Sequence, residues 1–296
     1  MQPLANPTLR LYIGAALISL SPVWVKLTDV GATASAFWRL AIGGVVIALW
    51  LLFSRRRLGF SARIWTVLLV AALFLAADLW FYHRSIQYVG PGLSTLLANF
   101  QVFVMAAAGV IILREPPSAR QLLAIPLALF GLTLIVGVDW DGLSVEYRTG
   151  IIFGLAAAAT YAGYLLSMRH SRRDSTNRVP SREIAVVSLV GAAMLGATVL
   201  AEGGSLAVAT AQDAMWLACY GVLSHGMGML FITSSLPHVS TTQAGVALLL
   251  QPTLSFVWDV AFFARPMTAI QLLGAVIALG AIYLGSRSQQ LQRPRQ

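Results

Sequence analysis

The sequence predicts an all-α membrane protein of ten transmembrane helices built as two inverted five-helix repeats, and three observations predict it. Of the 296 residues, 58% are hydrophobic and only 10% charged, with a mean hydropathy of +0.77, whereas soluble domains carry about a quarter charged residues. At about 20 apolar residues per span, this length holds about ten spans and leaves nothing for a soluble domain. The stretch from Tyr88 also recurs from His238 at a constant shift of 150 residues, without a gap. Gln101 falls on Gln251, Arg114-Glu115-Pro116 on Ala264-Arg265-Pro266, and Gln121-Leu122-Leu123 on Gln271-Leu272-Leu273. A unit this long and apolar is half of a membrane carrier rather than a solenoid repeat. The third observation is the distribution of charge between the two ends of the spans.

Leu9 to Val25 is the first span. It carries Arg10 at its start as a secretory signal would, but no small-x-small cleavage site closes it, and Ser21-Pro22-Val23-Trp24 reads as a kinked helix with an interfacial tryptophan. Pro22 frees the carbonyl of Ile18, which protein or a wet cavity must satisfy. The second span, Thr33 to Phe53, stops at Arg55-Arg56-Arg57, and the third runs from Arg63 to Gln87. Gly90-Pro91-Gly92 forces a tight connection into the fourth, which ends at Arg114-Glu115-Pro116-Pro117. The fifth covers Ala119 to Gly137, and an acidic loop, Asp139 to Glu146, separates the halves. The sixth is Thr149 to Met168, the seventh Ile184 to Ala201, the eighth Asp213 to Leu236, the ninth Ser240 to Ala264 and the tenth Thr268 to Ser286. The expected units are 1–137, a linker loop 138–148, a second repeat 149–286 and a polar, unstructured tail in 287–296.

Along this path, with the N-terminus inside, Arg10, Arg55 to Arg57, Arg63, Arg114, Arg120, Arg169, Arg172, Arg173, Arg178, Arg182, Arg287, Arg293 and Arg295 fall on one side. Asp29, Asp139, Asp141, Glu146, Glu202 and Asp213 fall on the other. The excess of Arg on inner loops places both termini in the cytoplasm, and five spans per half then invert the second repeat. The +9 formal charge therefore serves orientation, and no nucleic acid is expected as a partner. The partners expected are the lipid bilayer, a small-molecule substrate and, as a candidate coupling ion, the proton. Cys219 is the single cysteine, which excludes an intrachain disulfide.

Polar groups inside spans cost free energy, so they mark candidate sites. Asp78 and His83 flank Trp80, Phe81 and Tyr82 in the third span, and His225 lies in the eighth. Under the 150-residue shift His225 maps to Leu75, one turn from Asp78, so an acid and an imidazole stand at similar depth. Asn99, Gln101 and Gln251 lie mid-span, where a carrier of a polar solute needs amides; Pro252 frees another carbonyl, that of Leu248. Tyr82 shares a face with Asp78, and Tyr161 and Tyr164 form an i, i+3 pair matched by the halfway symmetry with Trp24. Packing alone would also account for any one of these polar or aromatic residues. Asp259, near the outer end of the ninth span, has Arg39, Arg84 or Arg265 as prospective partners and reads as structural or gating. No G-x-S-x-G, H-E-x-x-H, Cys/His cluster or Walker loop is present, so neither an enzyme nor a cofactor or metal is expected.

Two five-span halves, each with a penultimate span, a short turn (Arg114-Glu115-Pro116-Pro117 or Ala264-Arg265-Pro266-Met267) and a last span opening Ala-x-Gln-Leu-Leu, resemble the EamA-type members of the ten-helix drug/metabolite transporter superfamily over nearly the whole chain. The resemblance implies a central cavity lined by the first, third, fourth, sixth, eighth and ninth spans, and it extends to the bacterial aromatic amino-acid exporters. Arg265 stands where the family turn has a glutamate. No Lys or Arg lies mid-span in those lining spans, so the cavity is expected to offer no fixed cation to a phosphate. The expectation is therefore a secondary transporter exporting small zwitterionic metabolites, with aromatic amino acids first, by alternating access; lipophilic amines or drugs, or a non-carrier channel or scaffold, are the alternatives.

Overall fold

The computed structural model of the protein describes residues 6–54, 60–111, 119–136, 141–172, 180–239 and 241–291, and every regular element among them is helical. The arginines at 55–57, the turn at 114–117, Asp139, Arg173, Arg178 and the tail beyond 291 lie outside the described residues. The helices are α1 (Pro7–Ser19), α2 (Ser21–Leu27), α3 (Ala32–Phe53), α4 (Ala62–Val89), α5 (Pro91–Asn99), α6 (Gln101–Ile111), α7 (Ala119–Val136), α8 (Val145–Arg172), α9 (Pro180–Ala201), α10 (Ala211–Cys219), α11 (Gly228–Ser235), α12 (Thr241–Phe263) and α13 (Ala269–Leu291). A π-helical segment, Tyr220–Met227, joins α10 to α11, and a 3₁₀ turn, Leu236–His238, follows α11. Seven stretches are long and apolar enough to cross a membrane, among them Pro7–Leu27, Pro91–Ile111 and Ala211–Ser235, and three shorter apolar helices run Leu122–Val136, Ala247–Phe263 and Ala269–Leu284. The protein is thus a multi-pass helical membrane protein.

Two boundaries differ from expectation. Helix α8 begins at Val145, so Glu146 sits in its first turn rather than in a loop, where a carboxylate complements the free amides of a helix start. Helix α13 continues to Leu291, because Ser286 to Leu291 holds no Gly or Pro to stop it.

The break in the first span is as the proline demands, and its carbonyls are satisfied by serines from distant helices. Val23 turns back to the carbonyl of Leu20, which Trp24 also bonds, leaving the Ser19 carbonyl without its usual partner. Ser224 Oγ donates to Leu17 O at 2.7 Å and Ser255 Oγ to Ser19 O at 3.1 Å. Trp258 Nε1 adds a bond to Ser19 Oγ at 2.9 Å. The fourth span also breaks, at Phe100, where Phe100 N reaches Leu97 O and Phe103 N reaches Phe100 O in tight three-residue turns. Pro252, by contrast, sits inside a continuous α12.

Helix α3 packs on α9, α7 on α13 and α5 on α12, while α4 packs on α8 and α1 on α11. Helix α6 leans instead on α8 and α13, so the fourth and ninth spans are together along α5 and part beyond Phe100. Helix α3 approaches the π segment closely at Gly43, where an added Cβ would stand 2.7 Å from His225 Cβ and 2.9 Å from the Gly221 carbonyl. Only a residue without Cβ lets α3 and that widened turn meet.

Candidate functional site

The polar centre of the bundle gathers where α3, α4, α8 and the π segment meet. On α4, Asp78 is 7% exposed and Tyr82 8%, while His83 is fully buried. A turn of helix separates Asp78 from Tyr82, which puts both on one face. His83 Nδ1 bonds the Ala32 carbonyl at 3.0 Å and Nε2 meets the Tyr220 hydroxyl at 2.8 Å. A carbonyl can only accept, so in the neutral imidazole Nδ1 carries the proton and Tyr220 donates to Nε2. The Tyr220 oxygen then accepts from Arg39 Nη1 at 2.9 Å, and the Arg39 guanidinium also lies 5.1 Å from the Tyr220 ring centroid. Tyr82 shares a hydrogen bond with Thr95 of α5 at 2.8 Å, and Tyr161 and Tyr164 of α8 stand 5.4 Å apart, ring to ring.

Asp78 makes no hydrogen bond or ion pair among the described residues; the charge whose field reaches it is Arg39. Tyr82, Tyr161 and Tyr220 all sense both charges, so the cluster brings a buried carboxylate and a guanidinium near three phenols. Arg39 is not among the site residues expected from sequence. It lies on α3, a helix absent from the expected lining set, and it brings a cation into the cluster. The signal is present in the sequence, since an arginine seven residues into an apolar helix is roughly 10 Å from its end.

The other expected residues divide. His225 does not meet Asp78: its Nε2 pairs with Ser188 Oγ of α9 at 2.8 Å, Nδ1 is buried without a partner, and the ring packs on Gly43. Trp24 does not join the tyrosines; it stacks on Trp216 at 5.5 Å and donates to Ser224 Oγ at 3.2 Å. Asn99 and Gln101 straddle the break at Phe100, both half-buried. Asn99 Nδ2 bonds Thr95 O at 2.8 Å, and Gln101 Oε1 is buried with no partner. Gln251 is half-buried on α12, one turn from Ser255, whose hydroxyl donates to the Gln251 carbonyl.

One end of the bundle is closed by polar stitches. Glu202 accepts from Thr33 Oγ1, Trp80 Nε1 and Arg84 Nη2, each at 2.8 Å, and the Arg84 guanidinium lies 3.7 Å from the Trp80 ring centroid. Asp213 accepts from Thr28 Oγ1 and the Asp29 amide. Asp259 pairs with Arg265 at 3.0 Å, the one of its three prospective partners that reaches it, and also accepts from the Gly92 amide at 3.0 Å. A cavity of about 530 Å³, lined by Asp29, Thr33, Arg84, Glu202 and Asp213 among others, opens at this end.

Burial pushes the Glu202 carboxyl up, but bonds from Trp80 and Thr33 and the charge of Arg84 outweigh it and hold it below its ordinary value. A carboxyl depressed in the folded state stabilises above its unfolded value, about 4.3 for Glu, and loses that contribution as pH falls through the folded value. The difference in melting temperature between wild type and Glu202→Gln in detergent is therefore expected to stay constant from neutrality down to about pH 5 and to shrink below about pH 4. A difference that grows on acidification would contradict the clamp.

The family model for EamA-like transporters matches residues 8–137 and again residues 148–287. The uncharacterized inner membrane transporter YhbE of Escherichia coli K12 is 28% identical over 237 residues, 74% of this chain and 70% of that protein. The threonine/homoserine exporter RhtA of the same strain is 26% identical over 271 residues, 88% of this chain and 83% of that one. An uncharacterized transporter of Archaeoglobus fulgidus is 24% identical across 93% of this chain and 94% of its own. A crystal structure covering 98% of this chain and 99% of the other superimposes with a TM-score of 0.68 at 16% identity, a likeness of fold.

Proposed function

Because the chain belongs to the EamA-like transporter family, we propose that it exports amino acids across a bacterial inner membrane by alternating access through the site between Arg39, Asp78 and the tyrosines. In this reading ten helices cross the bilayer as two inverted repeats, both termini are cytoplasmic, and the stitched end faces outward. The pairing of α3 with α9, α5 with α12 and α7 with α13 supports the repeat, and the arginine distribution supports the orientation. The observation that carries the functional reading is the centre of the bundle: a buried carboxylate and a half-buried guanidinium that do not pair, beside phenol rings. Opposite charges inside a membrane protein are costly and mark a solute path, and rings suit a bulky apolar side chain.

The similarity to a threonine/homoserine exporter supports an amino-acid substrate; the tyrosine wall favours aromatic side chains within that class. A lipophilic amine is the second reading, since Asp78 alone satisfies a cation. Purified protein in proteoliposomes, loaded with unlabelled L-phenylalanine, is expected to drive counterflow of labelled L-phenylalanine in preference to L-threonine. Counterflow of phenethylamine with none of either amino acid would overturn the amino-acid reading in favour of amines.

A further inference from the structure

The geometry points to Arg39 as the anchor for the substrate's carboxylate, facing Asp78 as the partner of its ammonium. This rests on the transport reading above. An arginine presents two edges, and the one formed by Nε and Nη2 is the fork that takes a carboxylate side-on with two parallel bonds. Here Nη1 is committed to the Tyr220 hydroxyl at 2.9 Å, while the fork is uncommitted: Nε is buried with no acceptor, and Nη1 is the hydrogen-bonded nitrogen among the described residues. The Tyr220–His83–Ala32 chain behind Nη1 fixes the guanidinium by the edge that the fork does not need.

Opposite the guanidinium, Asp78 is close enough for the two charges to interact, yet no ion pair within 4.0 Å forms between them. In a medium of low polarity, unlike charges with nothing between them attract strongly. Their helices hold them apart: α3 is pinned to the π segment at Gly43, and α4 is tied through His83 and Tyr82 on either side of the cluster. A zwitterion, whose ammonium and carboxylate are attached to one carbon, supplies a counter-charge to each without moving either helix. A phosphate or simple amine supplies only one.

The test is inhibition of labelled L-phenylalanine counterflow by three compounds: L-phenylalanine, its amide, which lacks the carboxylate, and 3-phenylpropionate, which lacks the ammonium. Wild type is expected to prefer the amino acid to either analogue by tenfold or more. Arg39→Gln is expected to weaken L-phenylalanine at least tenfold while changing the amide less than threefold. Arg39→Lys, a point charge without a fork, should lie between. Tyr220→Phe, which frees Nη1 but leaves the fork, should keep the preference for the amino acid over its amide.

Equal weakening of amino acid and amide by Arg39→Gln would overturn the anchor and leave Arg39 a support for Tyr220. Should neither Arg39 variant be recovered folded, a wild-type preference over the amide below twofold overturns it equally. Absence of counterflow in wild type with any amino acid would instead remove the transport reading, and the anchor with it.

Discussion

Asparagine at position 78 is expected to abolish accumulation of substrate driven by a proton gradient while keeping exchange at equal pH within about tenfold of wild type, a loss of about 1.4 kcal/mol in apparent binding. Asparagine preserves the shape and one carbonyl acceptor but has no proton to take up or release. Around Asp78, the other polar groups are poor carriers of that proton. Arg39 stays charged at all relevant pH, phenols release protons only well above neutrality, and His83 is bonded at both ring nitrogens. Asp78 has no hydrogen bond to break among the described residues. His225→Gln is expected to leave accumulation near wild type, because its ring is held by Ser188 rather than by the cluster. If Asp78→Asn proteoliposomes still concentrate substrate at the wild-type rate under a pH gradient, coupling lies elsewhere or the protein is a facilitator.

Asp259→Ala is expected to lower the unfolding free energy in detergent by about 3–5 kcal/mol, the usual cost of removing one partner from a buried pair. Asp259 is 2% exposed, and one oxygen serves both the Gly92 amide and Arg265 Nη1. Its loss strands a guanidinium and an amide beside Gly90, whose φ of 85° already places the turn where a side chain would strain. Arg265 keeps one bond, to the Val89 carbonyl. Removing the stranded charge as well should therefore restore part of the loss, and Asp259→Ala/Arg265→Met is expected to melt above Asp259→Ala. Identical melting of wild type and Asp259→Ala would show that this corner carries no stability. Asp259 is legible from sequence as a gating or structural acid, and the glycine it caps is not, since nothing in Gly90-Pro91-Gly92 announces a distant carboxylate.

Hydropathy and the internal repeat make the helical membrane architecture readable, because both depend on composition over long windows and tolerate local errors. The cluster is partly readable: Asp78, Tyr82, His83 and Tyr161, each singled out in the sequence, lie around it. Arg39 escapes because its helix looks peripheral, and Tyr220 because one aromatic is lost among ordinary interfacial rings. His225 misleads for a geometrical reason. A constant shift compares faces only between helices of equal winding, and the π segment Tyr220–Met227 takes an extra residue per turn. Each such residue rotates the downstream helix by about 100° relative to an unbroken α-helix, which turns His225 toward α9. No periodicity argument registers that insertion.

The break at Phe100 also makes α6 a lever. Its eleven residues span about 16 Å, so a tilt of about 20° about Phe100 swings the far end by about 5–6 Å, the width of a benzene ring. That arm is free of the corner formed by Asp259, Arg265 and Gly92, which holds only the α5 half of the same span. One span thus joins a half tied by the Asp259 corner to a half that packs on other helices, and a tilt at Phe100 would move the second while the first keeps every bond it has.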